Sequence, residues 1–252
     1  MLKNIGSTQP HRTVSHLPNT KNLLLAALSL DVYEHLKNNM EQVELSSGSI
    51  LNRPNETINE VYFPLTCLIS VTITMMDGMT VEAGVVGSRE MVGINAFMGG
   101  RETTQTEYIV QVPGKAMKMK ADLLLSEFDT NKSLRDVMLK YTQAYMAQIS
   151  QNVACNRLHT IEQRMARWLL ESSDRLASDE LFLSHEFLSN MLGVRRSGVT
   201  ETAQRLQEKG LIQCSRKKIK IIDPQSLEET SCECYGVIKD EYDRLLRFKL
   251  ER

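Results

Sequence analysis

No apolar run in this sequence approaches the length a membrane helix needs. The longest, residues 23–30, falls far short of the roughly 20 residues required to span a bilayer. A secretory pattern is also missing, because the first 22 residues are polar and no basic stretch leads into an apolar one. A membrane-bound or secreted chain is therefore not expected, and a cytoplasmic one is. Excess charge of either sign is lacking too: 30 Lys and Arg stand against 31 Asp and Glu. Any nucleic-acid surface must then be a local patch. Cysteine is sparse and odd in number, at 5. Irregular spacing of Cys67, Cys155, Cys214, Cys232 and Cys234 suits a reducing compartment rather than a disulfide scaffold. The only close pair, Cys232-x-Cys234, is tighter than a usual zinc half-site and has no second half-site, so no metal is expected from it. Catalysis is equally unsupported. His159, Glu162 and His185 fall on separate amphipathic stretches without nucleophile–base–orienter spacing, and no enzyme is expected.

What is present is globular. Hydrophobic residues make up 42% and charged residues 24% of 252 positions, a composition and length that suit two domains of ordinary size. After a polar tail, residues 23–36 read as one short helix. Between Val43 and Lys120, short apolar runs alternate with turn signals such as Ser47-Gly48, Asp77-Gly78 and Pro113-Gly114, which suggests a β-sandwich or barrel. Asp77-Gly78 predicts a hairpin between residues 68–74 and 79–86. From Ala121 the period becomes helical. Leu134, Met138, Tyr141, Tyr145, Ile149 and Val153 recur every three or four residues without Gly or Pro over residues 133–157, about 37 Å of helix. Such a stripe is expected to be the seam of a parallel homodimer. A further helix over residues 160–176 has Ile161, Met165, Trp168 and Leu169 on one face, and Trp168 is expected in the core.

Residues 184–210 carry the sharpest pattern. Ser184 can cap a helix whose inner face is Phe187, Leu188, Met191 and Leu192, and Gly193 ends it. A second helix from about Arg195 has Val199, Ala203 and Leu206 on one side. Arg195, Arg196, Ser197, Thr200, Glu201 and Gln204 are left for the other. Two short helices about a tight turn form a DNA-binding unit whose second helix enters the major groove. Arg can donate to guanine O6 and N7, and Glu can accept from cytosine N4. Residues 211–222 then read as two strands around a basic turn, with Arg216, Lys217 and Lys218 placed for phosphates. Between Ser184 and Lys220, 8 basic residues face 3 acidic ones, the concentrated charge that binding to double-stranded DNA requires.

This order of parts resembles the Crp/Fnr superfamily of bacterial transcription regulators over about residues 22–223. Tyr62-Phe63-Pro64, Gly87-Ser88-Arg89-Glu90-Met91-Val92-Gly93 and Met191-Leu192-Gly193-Val194-Arg195-Arg196 carry the likeness. The resemblance implies an α+β chain in five parts: a flexible tail (1–21), a jelly-roll-like β-roll of cyclic-nucleotide-binding type (22–130), a dimerisation helix (131–158), a winged helix-turn-helix domain (159–223) and a helical extension (224–252). It implies a homodimer on a pseudo-palindromic operator, contact with RNA polymerase, and base readout by Arg196, Ser197 and Glu201. The effector pocket would involve Gly87, Glu90, Gly93, Ile94, Asn95, Thr104 and Gln105. Cyclic-nucleotide binders of the superfamily carry a Gly-Glu pair and, about ten residues on, an Arg-Ser or Arg-Thr pair. Here Ile94 stands where the Glu belongs, and Thr104 and Gln105 where the Arg-Ser belongs. A phosphate buried without a cation is costly, so binding of cAMP or cGMP is expected to be weak or absent, with no cofactor. The effector is not named by the sequence. The alternative is a thiol- or metal-based redox-sensing regulator on the same scaffold.

Overall fold

The computed structural model describes residues 18–99 and 106–246. Thr104 and Gln105, and residues 1–17 of the predicted tail, lie outside the described residues. The chain opens with α1 (Leu23–Ala26) and α2 (Leu30–Lys37), followed by β1 (Glu41–Leu45), β2 (Ile50–Asn52), β3 (Glu60–Pro64), β4 (Leu68–Thr74), β5 (Thr80–Val86), a 3-10 turn at Ile94–Phe97, β6 (Thr106–Val112) and β7 (Gly114–Lys120). Two antiparallel sheets, ordered β1-β7-β3 and β2-β6-β4-β5, face one another as the roll. The β4–β5 hairpin turns where the Asp77-Gly78 signal places it, and Asp77 Oδ1 accepts the Met79 N–H at 3.0 Å. Residues 23–36 are two helices rather than the single one expected. Buried Asn22 caps α1 and donates to the carbonyls of Pro64 and Glu90, each at 2.9 Å. With α1 pinned to the roll, the chain must bend before α2 so that Leu24 and Leu25, then Val32 and Leu36, reach one core.

Next come α3 (Ala121–Thr130), α4 (Lys132–Leu158) and α5 (Ile161–Leu176). Asn131 caps α4 by accepting from the N–H groups of Ser133 and Leu134, and Thr160 and Gln163 form a capping box on α5. The long helix exists as expected, but its predicted stripe faces inward as far as Tyr145. Leu134, Met138 and Tyr141 are fully buried in the chain's own core, and Tyr145 packs against it. Ile149 is half-buried. Val153, the last residue of the predicted stripe, faces outward with Leu139 and Met146. Leu139, Met146 and Val153 stand seven apart and are 51%, 61% and 69% exposed, and Leu158 is exposed at the helix end. A helix can carry two apolar stripes, and here the roll and the carboxy-terminal helix cover the first.

The remaining elements are β8 (Glu180–Leu181), α6 (His185–Leu192), α7 (Arg196–Glu208), β9 (Ile212–Ser215), β10 (Lys218–Ile221), α8 (Pro224–Thr230) and α9 (Cys234–Leu246). α9 belongs to both halves of the molecule. Tyr235 packs in the core of the winged unit, while Ile238, Tyr242 and Leu246 pack in the core shared by the roll and α4. The extension therefore lies along α4 as well as on the winged unit, rather than on the latter alone.

A buried polar network joins these parts. Arg175 donates through Nε and Nη2 to Glu90 Oε1, 3.0 and 2.9 Å away, and Glu90 Oε2 accepts the Gly87 N–H at 2.7 Å. Arg175 also reaches Glu171 Oε2 at 3.2 Å and Gln148 Oε1 at 3.1 Å, and Tyr242 donates to the same Gln148 oxygen at 2.8 Å. Arg167 pairs with Glu171 at 2.5 Å and with Asn152 Oδ1 at 2.9 Å. At Gly87, an added Cβ would sit 2.5 Å from Arg175 Cβ, so only glycine admits this approach. Gly87 and Glu90 are thus structural members of a buried junction. Ile94 is likewise buried in the core. Gly93 supplies a left-handed start (φ 94°) to the 3-10 turn, and Asn95 is half-buried within it. Among the described residues no helix is long and apolar enough to cross a membrane.

Candidate nucleic-acid interface

The helix pair α6–α7 is built from local signals. Ser184 Oγ accepts the Phe187 N–H at 3.1 Å, and Leu188, Met191 and Leu192 are buried. Gly193 then takes φ 60° and ψ 40°. Its N–H returns to the Asn190 carbonyl and that of Val194 to the Ser189 carbonyl, at 3.2 and 3.0 Å, the Schellman arrangement that satisfies a helix end. Arg195 is extended and opens α7 without a side-chain cap. Val199, Ala203 and Leu206 are buried as their spacing requires, and Thr202 joins them. Arg196, Ser197, Thr200, Glu201 and Gln204 are all exposed on the other side. His185 Nδ1 lies 3.1 Å from Thr200 Oγ1 and ties the two helices together.

The wing follows. β9 and β10 pair antiparallel from Ser215↔Lys218 to Ile212↔Ile221, and β8 adds Leu181↔Ile219. Arg216 and Lys217 form the tip, and Lys217 has φ 59°, a left-handed conformation that costs a non-glycine residue about 1 kcal/mol or more. Between wing and helix pair opens a cleft of about 360 Å³ lined by Ser184, His185, Arg196, Ser215, Arg216 and Lys217, among others. Its size and cationic rim suit a phosphate backbone, to which Arg, Lys and helix-start N–H groups donate.

Charge in this region is sorted by pairing. Arg205 and Lys209 are held by Glu162 of α5, at 3.1 and 2.5 Å, and the Lys209 ammonium, then Arg205, hold the Glu162 carboxyl below its ordinary range. Lys218 pairs with Glu180 at 2.7 Å and lies over the Phe182 ring. It is therefore engaged within the wing, not left free as the sequence suggests. Arg195, Arg196, Arg216 and Lys217 have no acidic partner among the described residues, whereas Lys220 stands opposite Glu180 across the β8–β10 pair and helps Lys218 hold that carboxyl below its ordinary range. Lys220, absent from the sequence-derived site, is exposed on β10. Alternation along a two-residue-period strand could have placed it there. Ser184 uses an oxygen lone pair as a cap and retains its hydroxyl hydrogen.

The helix pair is seated on the roll. Ser70 Oγ donates to Glu82 Oε2 at 2.6 Å and lies 3.4 Å from Met191 Sδ. Trp168 Nε1 donates to Glu82 Oε1 at 2.8 Å, which places the single tryptophan in the core as expected. Burial pushes the Glu82 carboxyl up to about 7, against the hydrogen bonds from Ser70 and Trp168.

Residues 163–230 match the family model of the Crp-like helix-turn-helix domain. No curated protein matches the sequence. Solved structures share the fold. The regulator FixK2 of Bradyrhizobium japonicum superposes with a TM-score of 0.66 at 15% identity, covering 77% of this chain and 98% of its own. A CRP-family transcriptional regulator of Thermus thermophilus gives 0.62 at 17%, covering 75% and 96%. The c-di-GMP-responsive global regulator CLP of Xanthomonas campestris gives 0.60 at 15%, covering 76% and 98%.

Proposed function

We propose that this chain, which carries a Crp-like helix-turn-helix domain on the Crp/Fnr fold, is a homodimeric, sequence-specific regulator of transcription that binds pseudo-palindromic double-stranded DNA and contacts RNA polymerase. It works by binding rather than catalysis. The observation that carries the reading is the exposed face of α7 beside four cations, Arg195, Arg196, Arg216 and Lys217, without acidic partners among the described residues. Arg196, Ser197 and Glu201 read base edges, Thr200 and Gln204 border them, and Arg195, Arg216, Lys217 and Lys220 hold phosphates. Two recognition helices must be spaced by about one turn of duplex, 34–36 Å, to read two half-sites. An effector would act by biasing that spacing between two states. Ile94 buried in the core offers a ribose hydroxyl no acceptor, which supports weak or absent binding of cyclic nucleotides.

Selection of bound sequences from a random duplex pool tests the reading, and a two-fold symmetric site is the expected result. Within that site Arg196→Ala should cost about 1–3 kcal/mol and relax preference at one position per half-site. Lys217→Ala should weaken all sequences alike and reduce the salt slope by about 1. Equal losses on every sequence for both variants would remove Arg196 from base readout.

Leu139, Met146 and Val153 form the seam proposed for the dimer. Met146→Glu places a charge in the middle of that seam. Sedimentation should show the wild-type chain as a dimer and the variant as a folded monomer with the wild-type circular dichroism. A variant that stays dimeric would place the seam elsewhere.

A further inference from the structure

At the carboxy-terminal end of α4, four metal-ligand side chains from two distant segments converge. Cys155 and the helix-ending His159 stand four residues apart, and the His159 N–H bonds the Cys155 carbonyl at 3.1 Å, so both side chains project to one side of the last turn. Cys232 and Cys234 come from the approach to α9 and its first residue. Cys155 Sγ is 3.5 Å from Cys232 Sγ, and Cys234 Sγ is 3.5 Å from His159 Nδ1. All four ligand atoms lie within 4.8 Å of one another. We propose that Cys155, His159, Cys232 and Cys234 form a closed, mononuclear tetrahedral site for zinc that fastens α9 to the end of α4.

The geometry favours this over other thiol chemistry. Zn–S bonds of about 2.3 Å and Zn–N bonds of about 2.0 Å put tetrahedral ligand atoms roughly 3.5–3.8 Å apart. A polynuclear iron–sulfur cage needs its ligand sulfurs farther apart, since the cage sits between them. Three thiolates and one imidazole select zinc among divalent ions, and four protein ligands leave no open position for catalysis. The outer shell is also in place. His159 Nε2, the nitrogen turned away from Cys234, lies 3.3 Å from Glu233 Oε2, and a carboxylate there orients a metal-bound imidazole. Gln151 Nε2 donates to Cys234 Sγ at 3.2 Å.

Arg164 supplies an independent observation. Its guanidinium is buried, donates to the Leu192 carbonyl at the end of α6, and has no carboxylate partner among the described residues. Cys155 and Cys232 lie close enough to act on its charge once their thiols ionise. A buried cation needs compensation, and a zinc centre with three thiolates carries one net negative charge. On loading, three S–H protons leave to water as three Zn–S bonds and one Zn–N bond form, without any change of oxidation state.

The test uses the full chain purified under reducing conditions. Elemental analysis should find one zinc per chain after desalting. The metal-free chain titrated with cobalt should show thiolate-to-cobalt charge transfer and ligand-field bands of tetrahedral intensity. Cys234→Ser and His159→Asn should abolish tight binding, Glu233→Gln should weaken it by about 10–100-fold, and Cys214→Ser should leave it intact. Removing zinc from the wild-type chain should speed amide exchange over residues 234–246. Three results would overturn the proposal: no bound metal together with no cobalt spectrum in the reduced wild-type chain, equal loss in Cys214→Ser, or a metal-free chain isolated with Cys155 joined to Cys232. The wild-type measurements decide the question even where a ligand variant fails to fold.

Discussion

Arg175→Met should lower the stability of the chain by about 3–5 kcal/mol, the usual penalty for removing one partner from a buried ion pair. Glu90 is wholly buried and Glu171 is 3% exposed, so neither carboxylate can turn to water once the guanidinium is gone. Burial opposes the charge on Arg175, yet Glu90 and then Glu171 more than restore it, and its pKa is raised. Methionine fills similar volume, so the loss reports charge and hydrogen bonding rather than a cavity. Arg175→Lys restores a cation without the planar fork that meets Glu90, Glu171 and Gln148 together, and should recover only part of the loss. Urea unfolding measures both variants. An Arg175→Met midpoint within error of wild type would show the network to be energetically idle.

Glu82→Gln should remove a pH dependence worth about 3 kcal/mol. The Glu82 carboxyl titrates near 7 when folded and near its ordinary 4.5 when unfolded. Between those values the folded chain holds a proton that the unfolded chain has lost. Stability therefore falls as pH rises through the window, by about 1.36 kcal/mol for each pH unit crossed, and levels off above it. Nearby Arg167 works against the rise and Glu171 with it, both more weakly than burial. Glutamine can still accept from Trp168 and can donate to Ser70. The difference in unfolding free energy between variant and wild type, followed from pH 4.5 to 8, isolates this group from all others. A flat difference would mean that water reaches the carboxylate.

The parts legible in the sequence are those whose causes are local. The Asp77-Gly78 turn, the Ser184 cap, the Gly193 helix end and the split of α7 into apolar and polar faces each depend on residues within a few positions. Misplaced residues depend on distant partners. The spacing of Leu134, Met138 and Tyr141 shows that they are covered, but not whether a second subunit or the same chain does the covering. Glu90 lies near a pocket motif, yet its partner Arg175 is 85 positions away. Cys155 and Cys232 are 77 positions apart, so neither half of the thiol cluster resembles a metal site alone. The Cys155-x-x-x-His159 spacing at a helix end is the one local signal of it. Lys218 reads as a phosphate ligand because the sequence shows its charge but not Glu180 across the strands.

The seven-residue interval between Leu139, Met146 and Val153 also sets a handedness. An α-helix turns once in 3.6 residues, so a strict seven-residue interval drifts by about 20° per repeat around a straight axis. Two copies joined along these side chains, as proposed, must coil about each other in the left-handed sense to keep all three in register. That winding would carry the far ends of the helices, and the reading heads attached to them, around the two-fold axis by an amount that the helix itself dictates.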